Sequence, residues 1–400
     1  MKKKYAALAV MAAFVFALAG CGGKSTEESA AASEGEETAA DNDRAEAGTG
    51  TEELGDTDKS SSAAGLLHPE IASIRRGGYA EGNGQNISFS SEASSAVLDE
   101  ADAEKYPELS KALDEQYDKM KQLADNAYNE LKENAQDMSE NGGWGYDGSY
   151  IQLSSSYDAH VVRADQDILS MDIYYEDYYG GAHGYYADLG HTFDTRTGKE
   201  LGIYDVITDK EAFSRALKAE LAKNYAGEDG LIENSSVDDD VTAFFEYVDT
   251  ENDENVSWTL GYDRLNICFN PYSVGSYAMG SMKVSILFAE YQDAVKEEYT
   301  HAPDSYAVYI DSYDGYRADL SGDGNYVNIS ADYEDYNDYT YDDIKIVLKG
   351  DNGQETSRSF DDMYYFSFDT YYVKLGNRHF LHILTNAEDD WTTDNVYEIT

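Results

Sequence analysis

The sequence predicts an α+β fold: an antiparallel sheet covered by two main helices, followed by a small mostly-β domain. Two stretches repeat apolar residues at steps of three and four, which is the period of a helix with one buried face. Many shorter segments alternate apolar and polar residues, as half-buried strands of an antiparallel sheet do. A chain of 400 residues, of which 42% are hydrophobic, is long enough for about two such domains.

Start and stop signals support both helices. The first is predicted over residues 106–138, with Pro107 in its first turn, where proline is tolerated, and Asn-Gly-Gly at 141–143 as its end. The second is predicted to begin at Thr208, because Thr208 and Glu211 have the spacing of a capping box. We expect both helices to cover the sheet.

The first 20 residues have the features of a secretory signal peptide. Three lysines at 2–4 precede an apolar run at 5–18, which is too short to span a bilayer. The run ends in Leu-Ala-Gly-Cys at 18–21, which resembles a bacterial lipobox; that resemblance implies cleavage before Cys21 and a lipid on its thiol. An ordinary signal peptide followed by a cysteine is the alternative. We therefore expect an extracytoplasmic protein anchored to the cell membrane through Cys21.

The rest of the chain divides into three segments. Residues 21–66 contain almost no large apolar side chains and predict a disordered acidic tether. Residues 67–300 carry both predicted helices and form the α+β domain. Residues 301–400 are rich in Tyr and Asp and predict a small β domain. Its last strand runs to Thr400, so it either completes a sheet or continues in a longer polypeptide.

Charge and cysteine content exclude some functions. The chain has 79 Asp and Glu against 29 Lys and Arg, a formal net charge of −50. Such a balance excludes a protein that binds nucleic acid through a basic surface, because phosphate contacts need Lys and Arg. Cys268 is the second of two cysteines and alternates with apolar residues, so we expect a small buried residue and not a nucleophile.

Several motifs are shared with a known domain. They are the stretch YYGGAHG at 178–184, the turn FDTRTGK at 193–199, and FNPY at 269–272 followed by YAMG at 277–280. In this order they resemble the extracytoplasmic domain of RsiV-type anti-sigma factors, a domain family of unknown function also found before the catalytic domain of PdaC-type peptidoglycan deacetylases. The resemblance implies the fold of residues 67–300 and, from the anti-sigma factors, an interaction with lysozyme.

The chain also departs from both kinds of relative. An RsiV-type factor has a cytoplasmic segment and a transmembrane helix where this chain has a lipobox. A PdaC-type enzyme has a deacetylase domain with metal-binding Asp and His residues, and nothing after residue 300 resembles it.

The glycine-rich stretch is the first candidate site. Paired glycines allow close backbone approach, and a histidine beside them is able to act as a base or a hydrogen-bond donor. Tyrosines surround the stretch and are favoured at interfaces. The candidate binding residues are Tyr178, Tyr179, Gly180, Gly181, His183 and Tyr185. The alternative is a structural turn in which His183 binds a neighbouring carbonyl, with tyrosines that replace Phe and Val on half-exposed strands.

A second candidate site lies in the β domain. Asp319, Ser321 and Asp323 place oxygen atoms at loop positions one, three and five, with Gly324 at position six, as in a calcium loop. Val327 and Ser330 stand where further ligands would complete the shell, so a surface turn is the alternative. Apart from this calcium site, we expect no cofactor.

No motif of a known enzyme class is present in the sequence. We therefore expect a non-enzymatic binding or sensing module of the cell envelope, with a cationic protein such as lysozyme or a cell-wall component as its partner. The alternative is a peptidoglycan-acting enzyme, or an accessory of one, whose catalytic residues follow no recognised motif.

Overall fold

The structure is a computed structural model that describes residues 65–82, 85–141, 151–225, 236–250, 254–310, 315–337, 340–351, 353–365, 367–386 and 392–399. Within these residues the chain is a mixed α+β protein with several sheets, as predicted in outline. The signal peptide, Cys21 and the tether up to residue 64 lie outside the described residues. Leu66, the last residue of the predicted tether, forms a β-bridge with Asp165.

The first sheet has five strands in chain order. They are β1 (Pro69–Gly82), β2 (Gln85–Leu98), β3 (Ile151–Ala164), β4 (Ile168–Tyr178) and β5 (Tyr185–Asp194). The expectation of a wholly antiparallel sheet was wrong at one place, since β2 and β3 pair in parallel. The reason is the long crossover between them, which returns the chain to the same end of the sheet. Strands β1 and β2 had no clear sequence signal, because β2 is rich in serine.

The crossover consists of α1 (Glu100–Lys105) and α2 (Pro107–Asn141), the second of which confirms the first predicted helix. One stripe of α2 is buried against the sheet, from Leu109 and Leu113 to Leu131. This stripe covers one face of the sheet, and the other face packs against the next part of the chain. There Gly190 of β5 approaches the backbone of Trp258 so closely that an added Cβ would lie 2.0 Å from its carbonyl oxygen.

That next part combines three helices with a second sheet. The helices are α3 (Ile203–Val206), α4 (Lys210–Tyr225) and α5 (Val237–Asp249), and the strands are β6 (Val256–Leu260), β7 (Arg264–Phe269) and β8 (Met282–Leu287). The second predicted helix is α4, but its cap was misassigned. Asp209 accepts a hydrogen bond from the Ala212 amide, so the carboxylate caps the helix and Thr208 does not.

The region after residue 300 contains two four-stranded antiparallel sheets. The first is β10 (Tyr316–Ala318), β11 (Val327–Asn337), β12 (Thr340–Gly350) and β13 (Glu355–Tyr365) in that order. The second has the order β16-β15-β14-β9, where the strands are β9 (Ser305–Ile310), β14 (Ser367–Leu375), β15 (Arg378–Asn386) and β16 (Thr392–Ile399). Their shared core includes the buried rings of Tyr306, Tyr316 and Tyr372, so part of the high tyrosine content is core.

Two buried arginines join this region to the rest. Arg163 is 1% exposed and donates to the carbonyls of Gly261, Tyr299 and His301, while its Nε binds Asp165. Arg264 pairs with Asp263 and lies over the ring of Tyr316, its guanidinium carbon 3.8 Å from the ring centre. A buried cation is stable only when it is fully hydrogen-bonded. These contacts fix the two regions against each other.

Candidate functional site

The glycine-rich stretch is the connection between β4 and β5, and two of its glycines are sterically required. Gly180 has φ +84°, and a Cβ there would lie 3.1 Å from the Met138 side chain of α2. A Cβ on Gly184 would lie 2.3 Å from the carbonyl oxygen of Asp177. Gly181 is exposed and has room for a side chain. The turn is therefore held tightly against both the helix and the end of β4.

His183 is exposed, and its ring orientation is fixed by two contacts. Its Nδ1 lies 2.7 Å from the carbonyl oxygen of Gly184, which accepts only, so Nδ1 carries the proton and donates. The imidazole stacks on the ring of Tyr277 with centres 4.2 Å apart. The Tyr277 hydroxyl in turn donates to the same Gly184 carbonyl at 2.7 Å. His183 therefore binds a neighbouring carbonyl, as in the structural alternative from the sequence, and its Nε2 takes no part in this hydrogen bond.

Tyr277 belongs to the second motif block, so the structure brings the two blocks together. It sits in a 3₁₀ turn (Tyr277–Met279) before β8. Tyr186 and Tyr272 surround it, with ring centres 5.8 and 5.4 Å away. Tyr272 is 58% exposed and has a positive φ of 71°, a rare conformation for a large side chain. An aromatic patch thus forms around His183 from residues far apart in sequence.

A second aromatic group lies on the helix-covered face of the sheet, where two of its rings pack in clusters that include buried residues of α2. We call it the tyrosine face, and it consists of Tyr157, Tyr175, Tyr179 and Tyr185. Tyr157 and Tyr175 are register partners on β3 and β4, and their rings stack with centres 4.5 Å apart. The ring centres of Tyr185 and Tyr175 are 6.1 Å apart. All four side chains are partly exposed.

Among the described residues, the charged groups that act on the tyrosine face are carboxylates. Burial and the nearby Glu130 and Asp177 raise the pKa of Tyr179 to about 12. Burial and a 2.5 Å hydrogen bond to Asp177 raise the pKa of Tyr175 further. Burial, Glu254 and Asp177 together raise the pKa of Tyr185. The face therefore presents ring surfaces in a negative potential.

Behind the aromatic patch lies a buried polar cluster. Asp188 is 4% exposed; it accepts a hydrogen bond from Cys268 with Sγ 3.1 Å away and pairs with Lys283 at 3.3 Å. Asn270 binds the backbone of Asp188 through both amide atoms. Burial and the Asp188 charge raise the pKa of the Cys268 thiol. This environment confirms a buried cysteine and disfavours the thiolate that a nucleophile requires.

The predicted calcium loop is a compact turn at the surface. Asp319 accepts hydrogen bonds from the amides of Gly322 and Gly324, both at 2.8 Å, and Ser321 donates to Asp323 at 2.6 Å. The three predicted ligands are thus close together. Both Asp319 oxygens already have backbone donors, as in the surface-turn alternative, and calcium binding stays a prediction.

A different cluster of possible metal ligands was not foreseen. His68, Asp99 and Asp102 have ligand atoms within 4.8 Å of one another, the one such group in the part of the chain that the structure describes. Their polar atoms are engaged locally, because Asp99 caps α1 and Asp102 accepts from the backbone amide of His68 and pairs with its Nδ1. We therefore interpret the cluster as the cap of a helix.

The predicted binding residues do not act alike. His183 is exposed and Tyr185 is partly exposed. Tyr178 and Tyr179 are also partly exposed, and both pack against the cluster that includes Leu131 of α2. The Tyr178 hydroxyl donates to the Gly181 carbonyl at 3.0 Å. The predicted set does not include Tyr157 and Tyr175 of the tyrosine face or Tyr277 of the aromatic patch. Tyr157 could be found only from the register of β3 with β4. Tyr277 stood in a recognised motif, but nothing in the sequence linked that motif to the glycine turn.

Comparison with known proteins identifies one domain. Residues 204–289 match a family described as "Protein of unknown function (DUF3298)". The chain therefore contains a DUF3298 domain, which spans α4, α5 and the sheet β6–β8. It includes the second motif block and excludes the glycine turn. The prediction of a domain of unknown function is confirmed for these residues, and its closer likeness to RsiV-type factors stays a prediction.

Two solved structures are similar to the chain. One is a DUF3298 family member from Bacteroides fragilis, with 19% identity and a TM-score of 0.38, over 58% of this chain and 96% of that one. The other is a DUF3298 family protein from Pseudomonas aeruginosa, with 15% identity and a TM-score of 0.37, over the same shares of the two chains. No curated protein matches this chain. Within the described residues, no helix is both long and apolar enough to cross a membrane.

Proposed function

We propose that the protein is a non-enzymatic binding module of the bacterial cell envelope, anchored through a lipid on Cys21, and that its tyrosine face binds a cationic protein. The lipobox-like sequence at 18–21 supports the lipid anchor on Cys21 and an extracytoplasmic location. The choice of partner is supported by charge and by the RsiV-like motifs. In this proposal residues 67–300 form an RsiV-like domain and residues 301–400 an accessory β domain.

One observation carries the proposal: four tyrosine rings are gathered around Asp177, with Glu130 and Glu254 beside them. A ring face attracts a Lys or Arg side chain through its quadrupole, and nearby carboxylates add direct Coulomb attraction. Both terms favour a cation and disfavour an anion. Tyrosine also supplies large contact area with little loss of side-chain entropy on binding.

The charge of the whole chain supports the same partner. A formal charge of −50 steers basic proteins towards the surface and raises their association rate at low ionic strength. Such steering acts over about 10 Å at 0.1 M salt, so it brings the partner close without selecting an orientation. Selection then falls to the tyrosine face, where charge and ring surface coincide.

The proposal is tested with two proteins of opposite charge. The full chain is titrated with hen lysozyme as the basic probe and with ovalbumin as the acidic one, at low and at high salt. We expect saturable binding of lysozyme that weakens as salt increases, and no binding of ovalbumin. Failure to bind lysozyme at low salt, or equal binding of both probes, would contradict the proposal.

An enzymatic role gives a different result. If the chain turned over peptidoglycan and the activity were lost in His183→Ala, the positioned imidazole would be a catalytic group. The binding proposal predicts that neither the original chain nor the His183→Ala variant releases soluble fragments from peptidoglycan.

A further inference from the structure

A cleft lies at one end of the β region after residue 300, outside the DUF3298 domain. It has a volume of about 440 Å³ and is lined from both four-stranded sheets. The loop before β11, the turn between β12 and β13, the turn between β14 and β15, and the end of β16 surround it. Its volume is within the range of small-molecule sites, about 300–1,000 Å³.

The floor of the cleft is aliphatic. Leu320, Val327, Leu348 and Ile399 line it, and all four are partly buried against the core between the sheets. They leave a patch of apolar surface at the bottom of an open cavity. Tyr326 adds an aromatic ring to the lining, which packs against the guanidinium of Arg317, whose central carbon is 5.2 Å from the ring centre.

The rim is polar but has its charges matched. Arg378 donates through two nitrogens to the two oxygens of Glu398, at 2.9 and 3.0 Å. Asp351 accepts a hydrogen bond from Arg317 at 2.8 Å. Amide side chains complete the rim at Asn377 and elsewhere. In a chain of charge −50, this cleft offers an anion no unpaired cation and a cation no unpaired carboxylate among its lining residues.

One buried polar side chain in the lining indicates that the cleft suits a polar ligand. His379 lines the cleft although it is only 7% exposed, and its Nδ1 is bound by the Tyr372 hydroxyl at 2.6 Å. Burial lowers the pKa of this imidazole, so it is neutral at pH 7. A neutral imidazole fixed through one nitrogen presents the other as a hydrogen-bonding group of defined direction.

We propose that this cleft binds a neutral sugar unit of an oligosaccharide. The aliphatic floor and the Tyr326 ring suit the C–H face of a pyranose, which is apolar. The amides, the Arg378–Glu398 pair and His379 supply both donors and acceptors for its hydroxyl groups. A long lipid chain would meet a polar rim on all sides, and a charged ligand would have to break an existing ion pair.

The test compares two substitutions on one strand. Neighbouring residues of β13 point to opposite faces, and Thr356 lines the cleft whereas Glu355 does not, although both are exposed. Thr356→Trp should fill the cleft, and Glu355→Trp is the matched control. Asn377→Asp, a smaller change at an exposed turn, is the second cleft variant.

The full chain and all three variants are titrated with cellotriose, maltotriose and chitotriose by NMR, with trigalacturonate as the charged comparison.

We expect saturable binding of at least one neutral trisaccharide, weakened at least about tenfold by Thr356→Trp and several-fold by Asn377→Asp, and unchanged by Glu355→Trp. Absence of saturation with all three neutral sugars up to about 20 mM would overturn the proposal, since weaker binding is not selective. Equal affinity in Thr356→Trp, or tighter binding of trigalacturonate, would overturn it as well. None of these results depends on whether the tyrosine face binds a cationic protein.

Discussion

The imidazole of His183 stacks on the ring of Tyr277 at 4.2 Å, and both side chains donate a hydrogen bond to the carbonyl of Gly184. This single carbonyl links the glycine turn of the first sheet to the 3₁₀ turn before β8. One of these turns lies within the DUF3298 domain and the other precedes it. The aromatic surface is therefore a product of two segments of the chain packed together.

Removing the Tyr277 hydroxyl should loosen this junction. Tyr277→Phe keeps the ring stack and loses one hydrogen bond to a partly buried carbonyl, so we expect a loss of about 1 kcal/mol in the free energy of unfolding. Chemical denaturation followed by circular dichroism measures it. Tyr272→Phe is the matched control, because that side chain is 58% exposed, and its stability should stay within about 0.5 kcal/mol of the original. Equal effects of the two changes would contradict the assignment.

The glycines of the turn should differ sharply in tolerance. An added Cβ at Gly184 would lie 2.3 Å from the Asp177 carbonyl oxygen, whereas at Gly181 its nearest neighbour would be 3.9 Å away. We expect Gly184→Ala to destabilise the protein by about 1–3 kcal/mol, because the backbone must shift. Gly181→Ala should be neutral or slightly stabilising. Thermal melting of the two variants side by side checks this, and the reverse order would show that the turn is built differently.

How far the sequence predicts this site depends on distance along the chain. The turn at Gly180 was expected from its paired glycines, since positive φ is a local property, and its φ is +84°. The contact between His183 and Tyr277 could not be expected, because local patterns carry no information about which turns meet. For the same reason the parallel pairing of β2 and β3 could not be predicted, because it depends on the end of the sheet to which α2 returns the chain.

Some missed elements did have a local signal. Helix α5 begins with Ser236 and Asp239 in a reciprocal capping box, and its buried Phe244 and Phe245 lie on one face. Acidic residues fill its first turn, where they favour a helix. The cap of α4 is Asp209, one residue after the predicted Thr208. By contrast, β1 and β2 are polar strands that are stabilised by pairing and by α2, and no local pattern reveals them.

Cys268 should be unreactive in the folded protein. It is the free cysteine of the described residues and is buried, with a raised thiol pKa. In a Cys21→Ser background, we expect a thiol reagent such as DTNB to react at least about a hundredfold more slowly with native protein than with protein unfolded in urea. Comparable rates would show an accessible thiolate and would reopen a catalytic role for this residue.

Stability should depend on pH through Asp240. This side chain is 2% exposed in the first turn of α5, and among the described residues its Oδ2 has no hydrogen-bond partner. Burial and the adjacent Asp239 raise its pKa to about 6. A carboxyl whose pKa is raised on folding stabilises the fold while protonated. That contribution is complete below the unfolded pKa of about 3.9 and is lost as pH rises through about 6.

Asp240→Asn therefore should stabilise the protein at pH 7 by about 1–2 kcal/mol and have little effect near pH 3.5. Urea unfolding of both proteins across this range measures the difference. Asp239→Asn is the control at the neighbouring position. It removes the negative charge that accepts from Ser236 at the start of α5 and so weakens the cap and its interaction with the helix dipole; it should therefore destabilise at pH 7. A stabilising effect of Asp240→Asn that is the same at both pH values would contradict the assigned pKa.

The central claim, that carboxylates beside the tyrosine face bind a cationic partner, is tested most directly by a charge-matched pair of variants. Glu130→Gln with Glu254→Gln removes two charges at the face, and Glu104→Gln with Glu355→Gln removes two elsewhere; all four side chains are exposed. The dissociation constant for lysozyme is measured at low salt for both. We expect the first pair to weaken binding about fivefold or more and the second less than about twofold. Equal weakening by both pairs would mean that only net charge attracts the partner, and would contradict a site at the tyrosine face.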